Sequence, residues 1–206
     1  MSTTRHTVQL LVGLWLFGAS IGLLVRADLG LDPWDVLHQG ISGQTGVSIG
    51  LVVIAVSVVV LALWVPLRQR PGVGTLANVV LVGLSLDATL AVLPAVTDLP
   101  GRLALLPAGI LANAVATGLY IGAGLGPGPR DGLMTGLAAR GLSIRVARTT
   151  VEVSVLAVGW LLGGTVGVGT VAYALAIGPL SQVFIPLFAT PAPQGDVRHE
   201  AAHRHR

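Results

Sequence analysis

Six long apolar runs constrain the fold of this chain more than any other feature. They are Val8–Val25, Val47–Val65, Gly74–Leu93, Leu103–Ile121, Ala147–Leu162 and Val166–Phe188. At about 1.5 Å per residue, helices of such length suit the hydrocarbon core of a bilayer, which is about 30 Å thick. A segment in lipid must satisfy its own backbone groups, and the runs lack the polar alternation of a membrane strand. The sequence therefore predicts an all-α, polytopic membrane protein with six spans.

Composition narrows the classes of partner. Hydrophobic residues make up 53% of the 206 residues and charged residues only 10%, against about 25% charged residues in a soluble domain. Most of the surface is therefore expected to face a lipid bilayer. The isoelectric point near 10.6 comes from arginines spread along the chain, so we expect no nucleic-acid partner. The absence of cysteine excludes disulfides, thiolate metal sites and cysteine nucleophiles.

The distribution of the twelve arginines predicts the orientation in the membrane. With the N-terminus inside, ten arginines fall in inner segments and two, Arg26 and Arg102, fall outside. Cytoplasmic flanks of membrane helices carry such an excess of basic residues. We therefore expect both termini to be cytoplasmic, including a polar tail over residues 190–206.

An internal repeat divides the apolar region into two halves. At an offset of 96, residues 22–40 match residues 118–136 at nine of nineteen positions, where chance would give about two. At an offset of 95, the GVGT of Gly72–Thr75 recurs at Gly167–Thr170. The halves cover residues 1–97 and 98–189, with three predicted spans each. Since three is odd, the second half is expected to be inverted, as in many secondary transporters.

Each half also contains a short polar segment after its first span. These are GLDPWDVLHQG at residues 30–40 and GPGPRDGLMTG at residues 126–136. Asp32 before Pro33 is typical of a capped helix start. We expect one short helix over residues 33–42, ended by Gly40 and Gly43, and another over residues 129–139. Such helices would either lie at the membrane surface or re-enter the bilayer from opposite sides.

The acids of these two segments are the main candidates for a functional site. Asp35 and Asp131 occupy equivalent positions of the repeat. They are either first-turn acids stabilised by the helix dipole, or paired carboxylates that line a cavity for a proton, a cation or a basic group. A carboxylate at the bilayer centre costs about 2.5–3.5 kcal/mol to insert, which argues against an idle role there. Arg130 replaces the Trp34 of the first half, and we expect it to neutralise one of the acids.

Three further residues complete the predicted substrate-binding set. Asp87 lies within the third apolar run and Gln182 at its counterpart in the sixth. An acid within a span usually faces protein or water, so we expect Asp87 to face a cavity. His38 follows Asp35 by three residues, which would allow a proton relay. The second half has Met134 at that position, which favours instead a surface or hydrogen-bonded histidine.

The segments LGLDPWDVLHQGIS and LGPGPRDGLMTGLA resemble the YczE-like family of bacterial integral membrane proteins, which is related to the YitT group. The resemblance covers about residues 8–188 and excludes the tail. It implies a polytopic fold in the bacterial inner membrane. It implies no catalytic residues.

The inverted repeat and the paired acids make a small-solute transporter or permease the leading hypothesis. An accessory or scaffold protein without transport activity is the alternative, and an intramembrane enzyme is a third class. We find no nucleophile elbow, HExxH pattern or P-loop, so we expect no enzymatic activity, no cofactor and no metal site. An ion gradient or a partner ATPase would have to drive any pumping. The expected partners are the lipid bilayer and a small solute or ion.

Overall fold

A computed structural model describes residues 2–190, and within them the chain forms helices and no strand. The helices are α1 (Ser2–Ala27), α2 (Pro33–Thr45), α3 (Ile49–Ala62), α4 (Trp64–Leu67), α5 (Val73–Val92), α6 (Leu99–Gly122), α7 (Pro129–Ala138), α8 (Ile144–Leu161) and α9 (Val168–Phe188). The predicted polar tail lies, apart from its first residue, outside the described residues.

Five helical stretches of the described chain are long and apolar enough to cross a membrane. They are Thr4–Ala27, Ile49–Leu67, Val73–Val92, Leu99–Gly122 and Val168–Phe188. The sequence predicted a sixth span, which corresponds to α8. That helix has 18 residues but carries Arg145, Arg148 and Glu152, and these charges make it more polar than the other five. The all-helical, multi-pass class is therefore confirmed, with five apolar helices where six were predicted.

The first long helices of the two halves, α1 and α6, pack against each other in opposite directions. Near the start of α1, His6 Nδ1 lies 2.7 Å from the carbonyl oxygen of Ala123, just after the end of α6. At the end of α1, Arg102 from the first turns of α6 donates from Nε to the carbonyl oxygen of Ala27 at 2.8 Å. The two helices are therefore antiparallel along their whole length.

Within each half, the first and last long helices run parallel. Gly18 and Gly22 of α1 lie against Val82 and Thr89 of α5, and a Cβ at Gly18 would be 2.3 Å from the Val82 carbonyl oxygen. The absence of a side chain therefore lets the two backbones touch. Between α6 and α9, Gly118 lies against Phe184, which is the equivalent of the pair Gly22 and Thr89, and Gly122 lies against Phe188.

The two halves also exchange reciprocal backbone hydrogen bonds. Gly74 N, in the first turn of α5, donates to the Leu125 carbonyl oxygen at 2.8 Å, and Gly169 N, in the first turn of α9, donates to the Leu29 carbonyl oxygen at 2.7 Å. Each acceptor is followed by a glycine in the left-handed region, Gly30 at φ 114° and Gly126 at φ 120°. These glycines turn the chain from a long helix into a short extended segment that leads to α2 or α7.

The two short helices exist, but their predicted ends need correction. Asp32 caps α2 by accepting a hydrogen bond from Asp35 N at 2.8 Å, and α2 continues to Thr45 instead of ending at Gly40 or Gly43. A Cβ at Gly40 would lie 2.6 Å from the carbonyl oxygen of Gly159 in α8. Gly40 therefore allows close helix packing and does not end the helix. The second short helix, Pro129–Ala138, agrees with the prediction to within one residue.

Candidate functional site

The short helices α2 and α7 start beside each other, at mid-length of the long helices. A cavity between their first turns is lined by Phe17 of α1, Val53 of α3, Val82 of α5 and Thr117 of α6, all from the interior of those helices. The helices then run in opposite directions: Ser48, just after α2, meets Asp87 near the end of α5, whereas α7 packs against α4, which precedes the start of α5. The short helices α2 and α7 therefore begin together at the centre of the helix bundle and end towards its two opposite ends.

One arginine joins the two halves at this meeting point. Arg130 Nη2 lies 3.3 Å from Asp35 Oδ1 and its Nη1 lies 3.6 Å from Asp32 Oδ2. Asp35 is 1% exposed and Asp32 is 4% exposed. Burial of a carboxylate is costly unless a partner compensates for the lost hydration. Arg130 therefore neutralises part of the charge of two buried acids, one of which, Asp32, was predicted only as a helix cap.

His38 is buried behind Asp35. Its Nδ1 lies 3.0 Å from Asp35 Oδ1 and its side chain is 1% exposed, so of the two predicted alternatives the structure has a hydrogen-bonded histidine and not a surface one. Three-residue spacing on α2 brings the two side chains to one face, as expected. Asp35 Oδ2 and His38 Nε2 are both buried and have no hydrogen-bond partner among residues 2–190. The pair therefore has unused hydrogen-bonding capacity.

Trp34 stacks on the same arginine. The Arg130 Cζ lies 5.2 Å from the centroid of the Trp34 ring, within the range of a cation–π contact. The ring closes one side of the guanidinium while the carboxylates of α2 bind its edge. Trp34 and Arg130, which occupy equivalent positions of the two halves, therefore contact each other.

Asp131 follows Arg130 but faces the cavity. Its Oδ2 accepts a hydrogen bond from the Tyr120 hydroxyl at 2.7 Å, and its side chain is exposed to the cavity that it lines. No ion pair involves it within the described chain. Asp35 and Asp131, predicted as a pair, thus have different partners: Asp35 binds Arg130, and Asp131 binds Tyr120.

The cavity has a volume of about 420 Å³. Its polar lining consists of Asp32, Ser57, Asn78, Asn113, Thr117, Tyr120, Arg130, Asp131, Thr135, Arg148, Glu152, Tyr173 and Ser181. At one end, Arg148 Nε donates to Glu152 Oε1 at 2.8 Å, the ion pair that four-residue spacing on a helix predicts. Arg148 is 65% exposed. The cavity therefore opens beside the first turns of α8.

Asp87 and Gln182 are not part of this cluster. Asp87 Oδ2 accepts from the Ser48 hydroxyl at 2.6 Å and its Oδ1 accepts from Gly50 N at 2.8 Å. It thus caps the start of α3 and lines a separate open hollow. Gln182 is exposed on α9 and does not line the central cavity. The structure brings together five of the seven predicted residues: Trp34, Asp35, His38, Arg130 and Asp131.

Several polar residues of the site were missed by the sequence analysis. Asn113 Oδ1 accepts from the Tyr173 hydroxyl at 2.9 Å, and Asn113 Nδ2 donates to the Ser20 hydroxyl at 2.9 Å. These residues form a polar layer between α1, α6 and α9. Asn113 is a polar residue within the fourth apolar run, and its counterpart in the first half is Phe17. A search for polar residues with apolar counterparts in the other half would have found it.

Among residues 2–190, no group of three His, Asp or Glu side chains is placed to hold a metal ion. The closest carboxylates, Asp32 and Asp35, share an arginine.

Comparison with known proteins identifies relatives without an assigned activity. Residues 4–186 match a family of unknown function, DUF6198. An uncharacterized protein of Haemophilus influenzae is 44% identical over 181 residues, which cover 87% of this chain and 83% of that protein. The uncharacterized membrane protein YczE of Bacillus subtilis is 31% identical over 174 residues, covering 82% and 80%. The uncharacterized protein YyaS of the same species is 27% identical over 183 residues, covering 85% and 90%. No solved structure matches the chain significantly.

Proposed function

We propose that this protein, which belongs to the YczE-like membrane proteins of family DUF6198, moves a small solute across its membrane. The observation that carries the proposal is the polar cavity of about 420 Å³ where α2 and α7 meet. Small-molecule sites typically have volumes of about 300–1,000 Å³. Charged groups at mid-depth in a membrane are costly and usually line the path of a substrate or ion. A scaffold or accessory protein has no need of such a cavity.

The directions of the helices support a six-span topology. Because α6 and α9 run parallel, the chain between them has to return across the membrane if both helices cross it. In that stretch only α8 is long enough, with 18 residues or about 27 Å. Arg145 lies in its first turn, and the paired Arg148 and Glu152 line the cavity. These charges then need not face lipid, which permits a span of lower hydropathy.

The same directions support an inverted repeat. The equivalent helices α1 and α6 are antiparallel, so a two-fold axis relating them is perpendicular to both helices. For helices that cross a bilayer, such an axis lies in the membrane plane. Each half then supplies one short re-entrant helix, from opposite sides. We propose residues 1–97 and 98–189 as these halves.

We further propose that the protein lies in the bacterial inner membrane with both termini in the cytoplasm, as the arginine distribution favours. The mouth of the cavity, beside the first turns of α8, then faces the cytoplasm. In the first half α3 packs against α5, whereas α8 packs mainly on α2 and α7. An outward-open state would reverse this difference, with α8 closing on α9 while α3 separates from α5.

Cysteine labelling tests the cavity directly, because the chain has no native cysteine. Single cysteines at Thr135 and Ser181, which line the cavity, should react with a membrane-impermeant thiol reagent in inside-out vesicles. Val183 is 62% exposed on another face of α9 and does not line the cavity. A cysteine at that position is the matched control and should react slowly, because lipid excludes the reagent and disfavours the thiolate.

Equal, slow labelling at all three positions would mean that water does not enter the cavity, and the transport proposal would fail. If the cavity cysteines react, reconstituted vesicles containing only this protein should exchange a solute that alters the labelling. Failure of every such solute to cross would favour the scaffold alternative over transport. We propose no enzymatic activity, since the site contains no activated nucleophile.

A further inference from the structure

We infer that the cavity selects a small organic cation of the amine or guanidinium class, with Asp131 as its counter-ion. The inference rests on the proposed function and names the chemical class of its solute. It depends on which charges of the site are already neutralised within the protein and which remain for a ligand.

Each arginine of the cavity is already paired. The Arg130 guanidinium contacts Asp32 and Asp35 and stacks on Trp34. Arg148 is bound by Glu152. An anionic solute would have to compete with carboxylates that are covalently part of the same site. Neither arginine is therefore a free anion-binding group.

Asp131 is the charged lining residue without an ion-pair partner in the described chain. The Tyr120 hydroxyl donates to its Oδ2 at 2.7 Å, which fixes the carboxylate but provides no ion-pair contact for its charge. The Phe17 ring packs edge-on against Tyr120, with centroids 5.7 Å apart, and holds that tyrosine in place. A donor group of a solute can therefore reach a preoriented carboxylate, and charge-assisted hydrogen bonds of this kind are among the strongest.

The surroundings add negative charge and aromatic surface. The cavity wall carries three carboxylates against two guanidinium groups: Asp32, Asp131 and Glu152, with Arg130 and Arg148. The buried Asp35 pairs with Arg130 from behind, and its second oxygen has no partner among residues 2–190. Tyr120 and Tyr173 contribute rings to the cavity wall, and aromatic faces attract cations. The excess negative charge and the aromatic walls favour the same class of ligand.

Equilibrium binding to the purified full-length protein tests this inference. The probes are agmatine and ethanolamine as cations, n-propanol as the uncharged carbon isostere of ethanolamine, and succinate as an anion. We expect the cations to bind and to protect a cysteine at Thr135 from labelling, whereas the isostere and succinate do neither. Asp131→Asn should weaken cation binding by about 10- to 100-fold, the factor that corresponds to the loss of one charge-assisted hydrogen bond.

Two controls separate a binding role from a structural one. Asp87→Asn removes an acidic charge outside the cavity and should leave cation binding unchanged. Asp131→Glu keeps the charge and should retain more affinity than Asp131→Asn. Thermal unfolding of each variant establishes that the variant is folded.

Binding of succinate or of the isostere in preference to both cations would overturn the inference. So would unchanged cation binding in a folded Asp131→Asn variant, or the failure of both cations to bind. None of these results would affect the labelling at Thr135 and Ser181, so the transport proposal would be judged separately.

Discussion

Arg130→Met should destabilise the protein more than removal of any other arginine on the cavity wall. The substitution leaves Asp32 and Asp35 buried, at 4% and 1% exposure, without the guanidinium that neutralises them. Breaking a buried ion pair by removing one partner costs about 3–5 kcal/mol. Because the Arg130 side chain is 25% exposed, we expect a loss at the lower end, about 3 kcal/mol.

The control for this prediction is Arg148→Met. Arg148 also belongs to an ion pair on the cavity wall, but it is 65% exposed, and exposed pairs contribute about 0–1 kcal/mol. The free energy of unfolding would be measured for both variants in the same detergent. A second substitution, Asp35→Asn, should recover part of the loss in Arg130→Met because it removes one unpaired buried charge. If Arg130→Met costs no more than Arg148→Met, the reasoning about buried charge is refuted.

Two further predictions concern packing and capping. Gly132→Ala should lower the free energy of unfolding by about 1–3 kcal/mol, because the added Cβ would lie 1.9 Å from the Trp64 ring and a packed interior resists such insertion. Gly178 has no neighbouring atom within 4 Å, so the control Gly178→Ala should be neutral or stabilising by up to about 1 kcal/mol. Thermal unfolding of the two variants measures the difference. Asp87→Ala should lower the free energy of unfolding by about 1–2 kcal/mol, because Gly50 N and the Ser48 hydroxyl lose their acceptor. Labelling of the cavity cysteines should not change in this variant. Altered labelling would place Asp87 in the path of the solute.

The elements that depend on local rules could be predicted from the sequence. Ser48 and Ser143 precede α3 and α8, where a serine is typical of a helix cap, and their hydroxyls accept hydrogen bonds from Leu51 N at 3.3 Å and Val146 N at 3.2 Å. Capping needs only residues within one turn, so the sequence contains all of the information. α2 instead continues past Gly40, which packs against Gly159 of α8, and ends at Gly46, whose φ of 72° is that of a left-handed glycine cap. A glycine that ends a helix and one that packs against another helix have the same sequence pattern.

Comparison of the halves selected Asp35 and Asp131 because both copies have the acid. It gave no role in the site to Asp32, whose counterpart is Gly128, or to Tyr120, whose counterpart is Leu24. In a repeat whose halves meet at one centre, a side chain from one half can occupy the space that the other half leaves empty. Differences between the copies are therefore as informative about the site as the identities.

Trp34 and Arg130 show why the halves have to differ at the centre. They occupy equivalent positions and contact each other, and equivalent positions of a two-fold repeat can touch only near its axis. Two arginines there would repel, whereas arginine on tryptophan gains a cation–π contact of about 0.5–2 kcal/mol. A double-mutant cycle of Trp34→Leu and Arg130→Met measures this coupling separately from lost packing and unpaired acids. We expect a favourable coupling of that size in the free energy of unfolding. A coupling near zero would mean that the Trp34 ring only fills space and that the carboxylates of Asp32 and Asp35 alone hold the arginine.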